Sequence, residues 1–212
     1  MMKFNSYQQV KTDFYFGIVK KFFAYHPKNT GSKKCTYITF DDGPEPEITE
    51  FVLEQLAHYN AKATFFCCGH NITSHPNLYN RLISEGHAVG NHTYSHLYGL
   101  STKPQEYVND VRRCDEMLPK DTILFRPPWG IINFREMLLL WKKRVVLWDV
   151  ESGDVRTDCN LNDILASIDA HVEKGNGIIL FHFSKEHEQR TRKLLPPILK
   201  HCAAAGYLFN TL

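Results

Sequence analysis

The feature that most constrains the fold is a regular alternation of short apolar runs with longer segments of helical periodicity. The runs interpreted as strands are residues 37–40, 63–67, 88–90, 124–126, 144–148, 178–182 and 207–209. Parallel strands need long, usually helical, crossovers, so this alternation predicts a parallel α/β sheet. Seven such units without a Gly-rich nucleotide loop favour a distorted (β/α) barrel of about seven parallel strands over a doubly wound sheet.

Length and composition predict one main domain. The chain has 212 residues, of which 43% are hydrophobic, enough to bury one sizeable core. We expect this domain over residues 35–212, preceded by an N-terminal helical segment over residues 1–34. There Phe14, Ile18 and Phe22 recur at helical spacing beside two lysines. A helix packed on the domain is the favoured interpretation, and a membrane-surface anchor is the alternative.

Charge and cysteine usage exclude several classes of protein. The net charge is only +2, with scattered lysines and arginines, so no nucleic-acid partner is expected. The six cysteines form no CxxC pair, which argues against a structural zinc site, and buried free thiols suit a reducing compartment. No secretory leader or apolar stretch of spanning length is visible. We therefore expect a cytoplasmic monomer without a transmembrane segment.

Polar side chains concentrate where the predicted strands end. They are Asp41, Asp42, His92, His96, Arg126, the acidic residues within 149–154, and His182. The carboxyl ends of parallel strands meet at one rim of a barrel, and barrel active sites form there. The distribution therefore predicts one functional site rather than scattered surface charges.

Two of these groups have the spacing of metal ligands. Asp41 and Asp42 end the first apolar run before Gly43 and Pro44, and His92 and His96 follow at i and i+4, which we interpret as one helical turn. An adjacent aspartate pair alone is equally typical of a solvated loop. One aspartate with two histidines leaves a coordination position open, as in catalytic divalent metal sites. The other aspartate would then be free to act as a base.

Four ordered motifs carry a resemblance to a known family. They are Thr39-Phe40-Asp41-Asp42-Gly43-Pro44, His92-Thr93-Tyr94-Ser95-His96, Arg126-Pro127-Pro128-Trp129-Gly130 and Leu180-Phe181-His182. Together they resemble the Asp-Asp, His-x-x-x-His, Arg-Pro-Pro-aromatic-Gly and Leu-x-His motifs of the NodB-like polysaccharide deacetylases, which are metal-dependent carbohydrate esterases. The resemblance spans about residues 36–209 and implies the deacetylase type of barrel.

The resemblance implies a role for each motif. The metal ligands would be Asp42, His92 and His96, with zinc favoured and cobalt or nickel possible. Asp41 would be the general base, and His182 would protonate the departing amine. The remaining implied site residues are Arg126, which would orient Asp41, Asp154, which would tune His182, and Pro128, Trp129, Gly130, Trp148 and Leu180, which would bind substrate. The plain alternatives are a surface cation for Arg126 and core positions for Trp129 and His182.

The chain departs from the family around residues 148–155. Glu151 replaces the commoner Asp, Val155 replaces a Trp, and Phe183 stands where an Asp often follows the last His. These changes bear on the shape of the substrate pocket rather than on the chemistry. The resemblance implies removal of N-acetyl groups from N-acetylglucosamine in an acetylated glycan. An O-esterase or another amidase on the same site, and an inactive carbohydrate-binding relative, are the alternatives.

Overall fold

The computed structural model describes residues 17–21, 24–25, 27, 34–175 and 177–212. Within these residues the strands are β1 (Cys35–Asp42), β2 (Thr64–Cys67), β3 (Ala88–Asn91), β4 (Leu124–Phe125), β5 (Arg144–Val145), β6 (Val150–Glu151), β7 (Ile178–His182) and β8 (Leu208–Phe209). The helices are α1 (Ile48–His58), α2 (Gly69–Ser74), α3 (Pro76–Ser84), α4 (Pro104–Asp115), α5 (Phe134–Leu139), α6 (Leu161–Glu173) and α7 (Glu188–Ala204), with a 3₁₀ turn at Pro128–Gly130.

The strand order requires the sheet to curl. The order is β5-β4-β3-β2-β1-β7-β6, all pairs are parallel, and β8 pairs with β1 off this path. The outermost strands, β5 and β6, would lie about 29 Å apart in a flat sheet. Only residues 146–149 connect them, and that connection reaches at most about 18 Å. The expected distorted barrel of parallel strands is therefore confirmed.

Some predicted boundaries differ from the structure for local reasons. The fifth strand, expected over 144–148, ends at Val145 because the chain then crosses to the other end of the sheet. The two-residue strand β6 is too short to leave a period in the sequence. The short helix α2 was also not predicted, and its N-terminal residue Gly69 approaches the Tyr94 ring so closely that a Cβ would clash.

The core explains why β1 is a continuous apolar run. β1 lies between β2 and β7 and is buried on both faces, as central parallel strands are. Phe40 stacks on Phe65 and Phe181, with ring centroids 5.0 and 5.6 Å away, and Phe183 meets both Phe40 and Phe65 edge-on. This aromatic cluster lies directly beneath Asp41 and Asp42 and gives them a rigid base.

The predicted N-terminal segment is described only in part. Residues 17–21 are helical, and Val19 is buried against a cluster that contains Tyr107 and Leu147. The backbone N–H of Tyr25 donates to the carbonyl of Val145. The remaining positions of the predicted helix, including Phe14 and Phe22, lie outside the described residues, so the division at residue 34 stays a prediction.

Two further expectations from the sequence concern the cysteines and membrane-spanning helices. All six cysteines are free thiols, and five of them are buried. In the part of the chain that the structure describes, no helix has both the length and the apolar character needed to span a bilayer.

Candidate active site

Asp41 and Asp42 end β1 at the carboxyl rim, and both face the same cluster of side chains. Neighbouring strand residues normally point to opposite faces. Asp42 leaves this alternation with a φ of 84°, a left-handed conformation that aspartate tolerates better than most residues. Its carbonyl accepts hydrogen bonds from the N–H of Cys68 and from Nδ2 of Asn71, each at 3.1 Å. These contacts from the start of α2 hold the turn.

His92 and His96 lie in an irregular loop, so the expectation that they share one helical turn was wrong. Thr93 and His96 have φ values of 63° and 54°, which are incompatible with a right-handed helix. The carboxylate of Asp110 accepts hydrogen bonds from the N–H groups of Tyr94 and Ser95 and from Oγ of Ser95, all at 2.9 Å. A side chain of α4 thus replaces the helical hydrogen bonds within this loop.

The loop still brings both imidazoles to Asp42. Nε2 of His96 lies 3.3 Å and Nε2 of His92 lies 3.5 Å from Oδ1 of Asp42. One ligand atom from each of the three residues lies within 4.8 Å of the others. Nδ1 of His92 lies 2.7 Å from the carbonyl oxygen of Arg126, which fixes the ring and leaves Nε2 for coordination.

The polar atoms of this cluster fit a bound cation. Oδ1 of Asp42 is buried and has no hydrogen-bond partner among the described residues, an arrangement that costs free energy unless a ligand satisfies it. Burial raises the pKa of this carboxyl, but His92, His96 and His182 outweigh it and hold the Asp42 pKa well below its ordinary value. A carboxylate and two imidazoles form a donor set suited to zinc and to other first-row divalent ions.

Arg126 is fully buried and pairs with Asp41. Its Nη1 donates to Oδ1 of Asp41 and to Oγ1 of Thr39, each at 2.8 Å, and its Nε donates to the carbonyl of Val146 at 3.2 Å. The guanidinium carbon lies 4.2 Å from the centroid of the Phe66 ring. Burial lowers the pKa of Arg126, and Asp41 partly offsets that effect. Arg126 is therefore an interior partner of Asp41 rather than a surface cation.

His182 ends β7 beside Asp41 and contacts Asp154. The register pairs the Cα atoms of Asp41 and His182, which places both side chains on adjacent strands at the rim. Nδ1 of His182 lies 3.2 Å from Oδ1 of Asp154, and Oδ2 of Asp154 accepts from the backbone N–H of His182 and from Oγ1 of Thr191. Burial disfavours the charged ring, but Asp154 outweighs it and raises the His182 pKa to about 9.

Trp129 forms one wall beside the cluster. Its ring centroid lies 4.3 Å from that of His96 and 5.4 Å from that of Tyr98. The residue has a φ of 57°, and the buried Pro128 and Gly130 flank it in the 3₁₀ turn. The half-exposed indole is therefore presented by the turn instead of packing in the core.

Two further residues expected to bind substrate are Leu180 and Trp148. Leu180 is buried on β7, and Trp148 is half-buried in the segment that connects β5 and β6. Nε1 of Trp148 donates to the exposed Glu151 carboxylate at 3.2 Å. Glu151 therefore pairs with Trp148, and the carboxylate that contacts His182 is that of Asp154.

Phe183 and Val155, two positions that differ from the family motifs, lie in different surroundings. Phe183 is fully buried in the aromatic cluster, and its backbone N–H donates to the carbonyl of Asp41. Val155 is half-buried after the tight turn at Gly153. The residue at position 183 is therefore part of the core.

The structure adds two side chains that the sequence motifs did not single out. The ring of His187 lies 5.0 Å from that of His182, and its pKa is lowered, first by burial and then by the neighbouring His182. Tyr98 packs edge-on against Trp129. Both residues follow a motif histidine by a few positions, but spacing alone does not distinguish them from ordinary loop residues.

Comparisons with known proteins agree with this geometry. The sequence model of the polysaccharide deacetylase family matches residues 28–140. A peptidoglycan-N-acetylglucosamine deacetylase of Bacillus cereus is 35% identical over 189 residues, covering 85% of this chain and 87% of that protein. The peptidoglycan-N-acetylmuramic acid deacetylase PdaC of Bacillus subtilis is 32% identical over 70% of this chain and 32% of its own length. A solved structure of PdaC superposes with a TM-score of 0.74 at 30% identity, covering 85% of this chain and 89% of that one.

Proposed function

Because this chain belongs to the polysaccharide deacetylase family, we propose that it is a metal-dependent hydrolase that removes N-acetyl groups from N-acetylglucosamine units of peptidoglycan. The observation that carries the proposal is the arrangement at the rim. The Asp41–Arg126 pair, the cluster of Asp42, His92 and His96, and the His182–Asp154 pair meet at the ends of adjacent strands. Hydrolysis of an amide needs a base that activates water, an electrophile that polarises the carbonyl oxygen and an acid that protonates the departing amine. All three must lie around the same carbonyl.

Asp42, His92 and His96 would hold the metal, with zinc as the favoured ion. When bound, a divalent ion supplies Lewis-acid chemistry that activates water and polarises a carbonyl oxygen. The unpartnered Oδ1 of Asp42 and the free Nε2 atoms of the two histidines are the atoms that would coordinate it. Nickel and cobalt accept the same donors.

Asp41 would take the proton from the attacking water. Arg126 holds Oδ1 of Asp41, and Oδ2 lies 3.8 Å from Nε2 of His92, on the side of the metal cluster. The pair fixes the direction of the Asp41 carboxylate and gives this buried group a cationic partner. A backbone N–H near Trp129 would donate to the oxyanion that forms as the water attacks.

His182 would protonate the departing amine as the carbon–nitrogen bond breaks, so that acetate and a free amino sugar are released. Its Nδ1 faces Asp154, which leaves Nε2 to donate the proton. The raised pKa, about 9, keeps the ring protonated at neutral pH. Asp154 would therefore act through His182, as the orienting carboxylate of a catalytic histidine does.

Trp129 and Tyr98 would bind the sugar. Aromatic faces pack well against the apolar faces of sugar rings; the Trp129 ring lies beside His96 of the cluster, and the Tyr98 ring meets the Trp129 ring edge-on. N-acetylmuramic acid is a second candidate substrate, because the PdaC relative is named for it.

Acetate release tests the proposal and separates the alternatives. The protein is stripped with a chelator, reloaded with zinc or cobalt, and assayed on peptidoglycan, N-acetylglucosamine oligomers, N-acetylmuramic acid-containing fragments and an O-acetylated xylan. We expect metal-dependent release with new free amines on the N-acetylglucosamine substrates. Release only from xylan would indicate an O-esterase. Release from none of them by metal-loaded protein would contradict the proposal and indicate an inactive relative.

A further inference from the structure

Exposed apolar side chains concentrate on the short helix α5 and in the turn that follows it, away from the catalytic cluster. Seven large hydrophobic residues are exposed in the described part of the chain, and four lie between residues 134 and 141. They are Phe134, Leu138, Leu139 and Trp141, with 59, 58, 45 and 74% of their surface exposed. Phe134 and Leu138 lie four residues apart on one face of α5, and Trp141 lies in the turn after its end. We call these four residues the α5 stripe.

The α5 stripe is the second apolar face of its helix. On the inner side, Glu136 and Leu140 are buried, and Met137 packs against the core cluster that contains Tyr107 and Phe125. A cluster of large apolar side chains on the outer face of such a helix is normally covered by a partner. The outer side of α5 therefore has the composition of a contact surface.

Exposed cations flank the stripe, and the Asp115 carboxylate beside this segment is paired with Lys143. Arg135, Lys142 and Arg144 are exposed, and Nζ of Lys142 lies 5.4 Å from the Trp141 ring centroid. The only acid between residues 131 and 144 is Glu136, whose side chain is buried. Exposed Trp, Phe and Leu side chains beside Lys and Arg are typical of segments that lie in a membrane interface.

We infer that the α5 stripe docks on a lipid bilayer with anionic headgroups. Its apolar side chains enter the boundary between headgroups and acyl chains, and Arg135, Lys142 and Arg144 contact lipid phosphates. The inference does not depend on the deacetylase activity.

The charges favour a lipid surface over the other occupants. In a symmetric dimer the same patch meets itself, so Arg135 and Lys142 would face the same cations of the second copy, and the Asp115 carboxylate is already paired with Lys143. Residues 1–16 carry two lysines and one aspartate, which also give no negative complement. An anionic bilayer supplies both an apolar phase and the opposite charge.

Vesicle co-sedimentation of the full chain tests the inference. Vesicles contain either pure phosphatidylcholine or an equal mixture with phosphatidylglycerol. We expect binding to the mixed vesicles that falls by about tenfold on pure phosphatidylcholine. The double variant Leu138→Ala/Trp141→Ala lowers partitioning by about tenfold or more, and Lys142→Glu lowers it on mixed vesicles alone. The control Ile83→Ala/Leu208→Ala, which removes exposed apolar side chains elsewhere, leaves partitioning within about twofold of the unmodified protein.

Three results would overturn the inference. One is the absence of binding to mixed vesicles. Another is binding that Leu138→Ala/Trp141→Ala leaves unchanged while circular dichroism shows a folded protein. The third is a dimer by sedimentation equilibrium that this double variant converts to a monomer, because a second copy would then cover the stripe.

Discussion

Arg126 donates from Nη1 to Oδ1 of Asp41 at 2.8 Å, and neither side chain exposes more than a few per cent of its surface. In this buried ion pair Arg126 holds Oδ1 of Asp41 in place, and Oδ2 remains to accept a proton. Asp41→Asn preserves the shape and still accepts from Arg126, but an amide cannot take a proton. We expect acetate release to fall by about two to four orders of magnitude with metal content unchanged.

The matched control for Asp41→Asn is Asp121→Asn, an exposed carboxylate remote from the rim. Its activity should equal that of the unmodified protein. Turnover of Asp41→Asn near the unmodified rate would show that another group acts as the base.

Removal of either ligand histidine should release the metal without unfolding the chain. His92→Ala and His96→Ala each remove one of three donors, and of the two residues only His96 is partly exposed. We expect the zinc dissociation constant to rise by more than about 100-fold in both, while the melting temperature of the metal-free protein changes little in His96→Ala. Isothermal titration with zinc measures this, with the exposed His58→Ala as control. A full equivalent of tightly bound zinc in the double variant would contradict the ligand assignment.

Asp110 should position the metal site without touching the metal. Its carboxylate holds Tyr94 and Ser95 in the loop between the two histidines. We expect Asp110→Ala to weaken zinc binding by about 10- to 100-fold, as loss of outer-sphere support does, and Asp110→Asn to be intermediate. Glu106→Ala, an exposed change on the same helix, is the control. Zinc affinity within about twofold of the unmodified protein in Asp110→Ala would show that the loop keeps its shape unaided.

The pH profile should report the His182–Asp154 contact. His182 must be protonated to donate, so kcat/KM falls as pH rises through its pKa, raised to about 9. Asp154 contributes to the raised value, so Asp154→Asn should move the alkaline limb to lower pH. The same contact stabilises the fold fully below about pH 6.5, the ordinary histidine pKa, and that contribution is lost as pH rises through about 9. An Asp154→Asn profile that overlays the unmodified one, with a shifted profile for Glu151→Gln, would transfer the role to Glu151.

Phe183 should matter for stability rather than for substrate choice. Its ring fills the space beside Phe40 and Phe65, so Phe183→Ala leaves a cavity and should lower the free energy of unfolding by about 3–5 kcal/mol. Phe183→Asp, which restores the residue common in the family, buries a charge and should destabilise the fold at least as much. Denaturant titration measures both. A stable Phe183→Asp variant with a changed substrate profile would place this position in the groove.

The sequence predicted the barrel and the residues at its rim because those features follow from local patterns. Buried parallel strands leave continuous apolar runs, and a motif such as Asp41-Asp42 ends such a run abruptly. The loop of His92 and His96 was misread because a helical spacing also occurs in a turn that a distant carboxylate, Asp110, holds in place. The burial of Phe183 depends on rings contributed by β1 and β2, so no local pattern predicts it.

The pairing of β1 also sets the order in which the protein can be assembled on the ribosome. β1 lies near the N-terminus, but two of its three partner strands, β7 and β8, are near the C-terminus. The nascent chain therefore presents an open, apolar strand edge until almost the whole barrel has been synthesised, a state prone to aggregation. Asp41 and His182 become neighbours only in that last step, so productive chemistry should appear only once synthesis is nearly complete, however early the histidine loop folds.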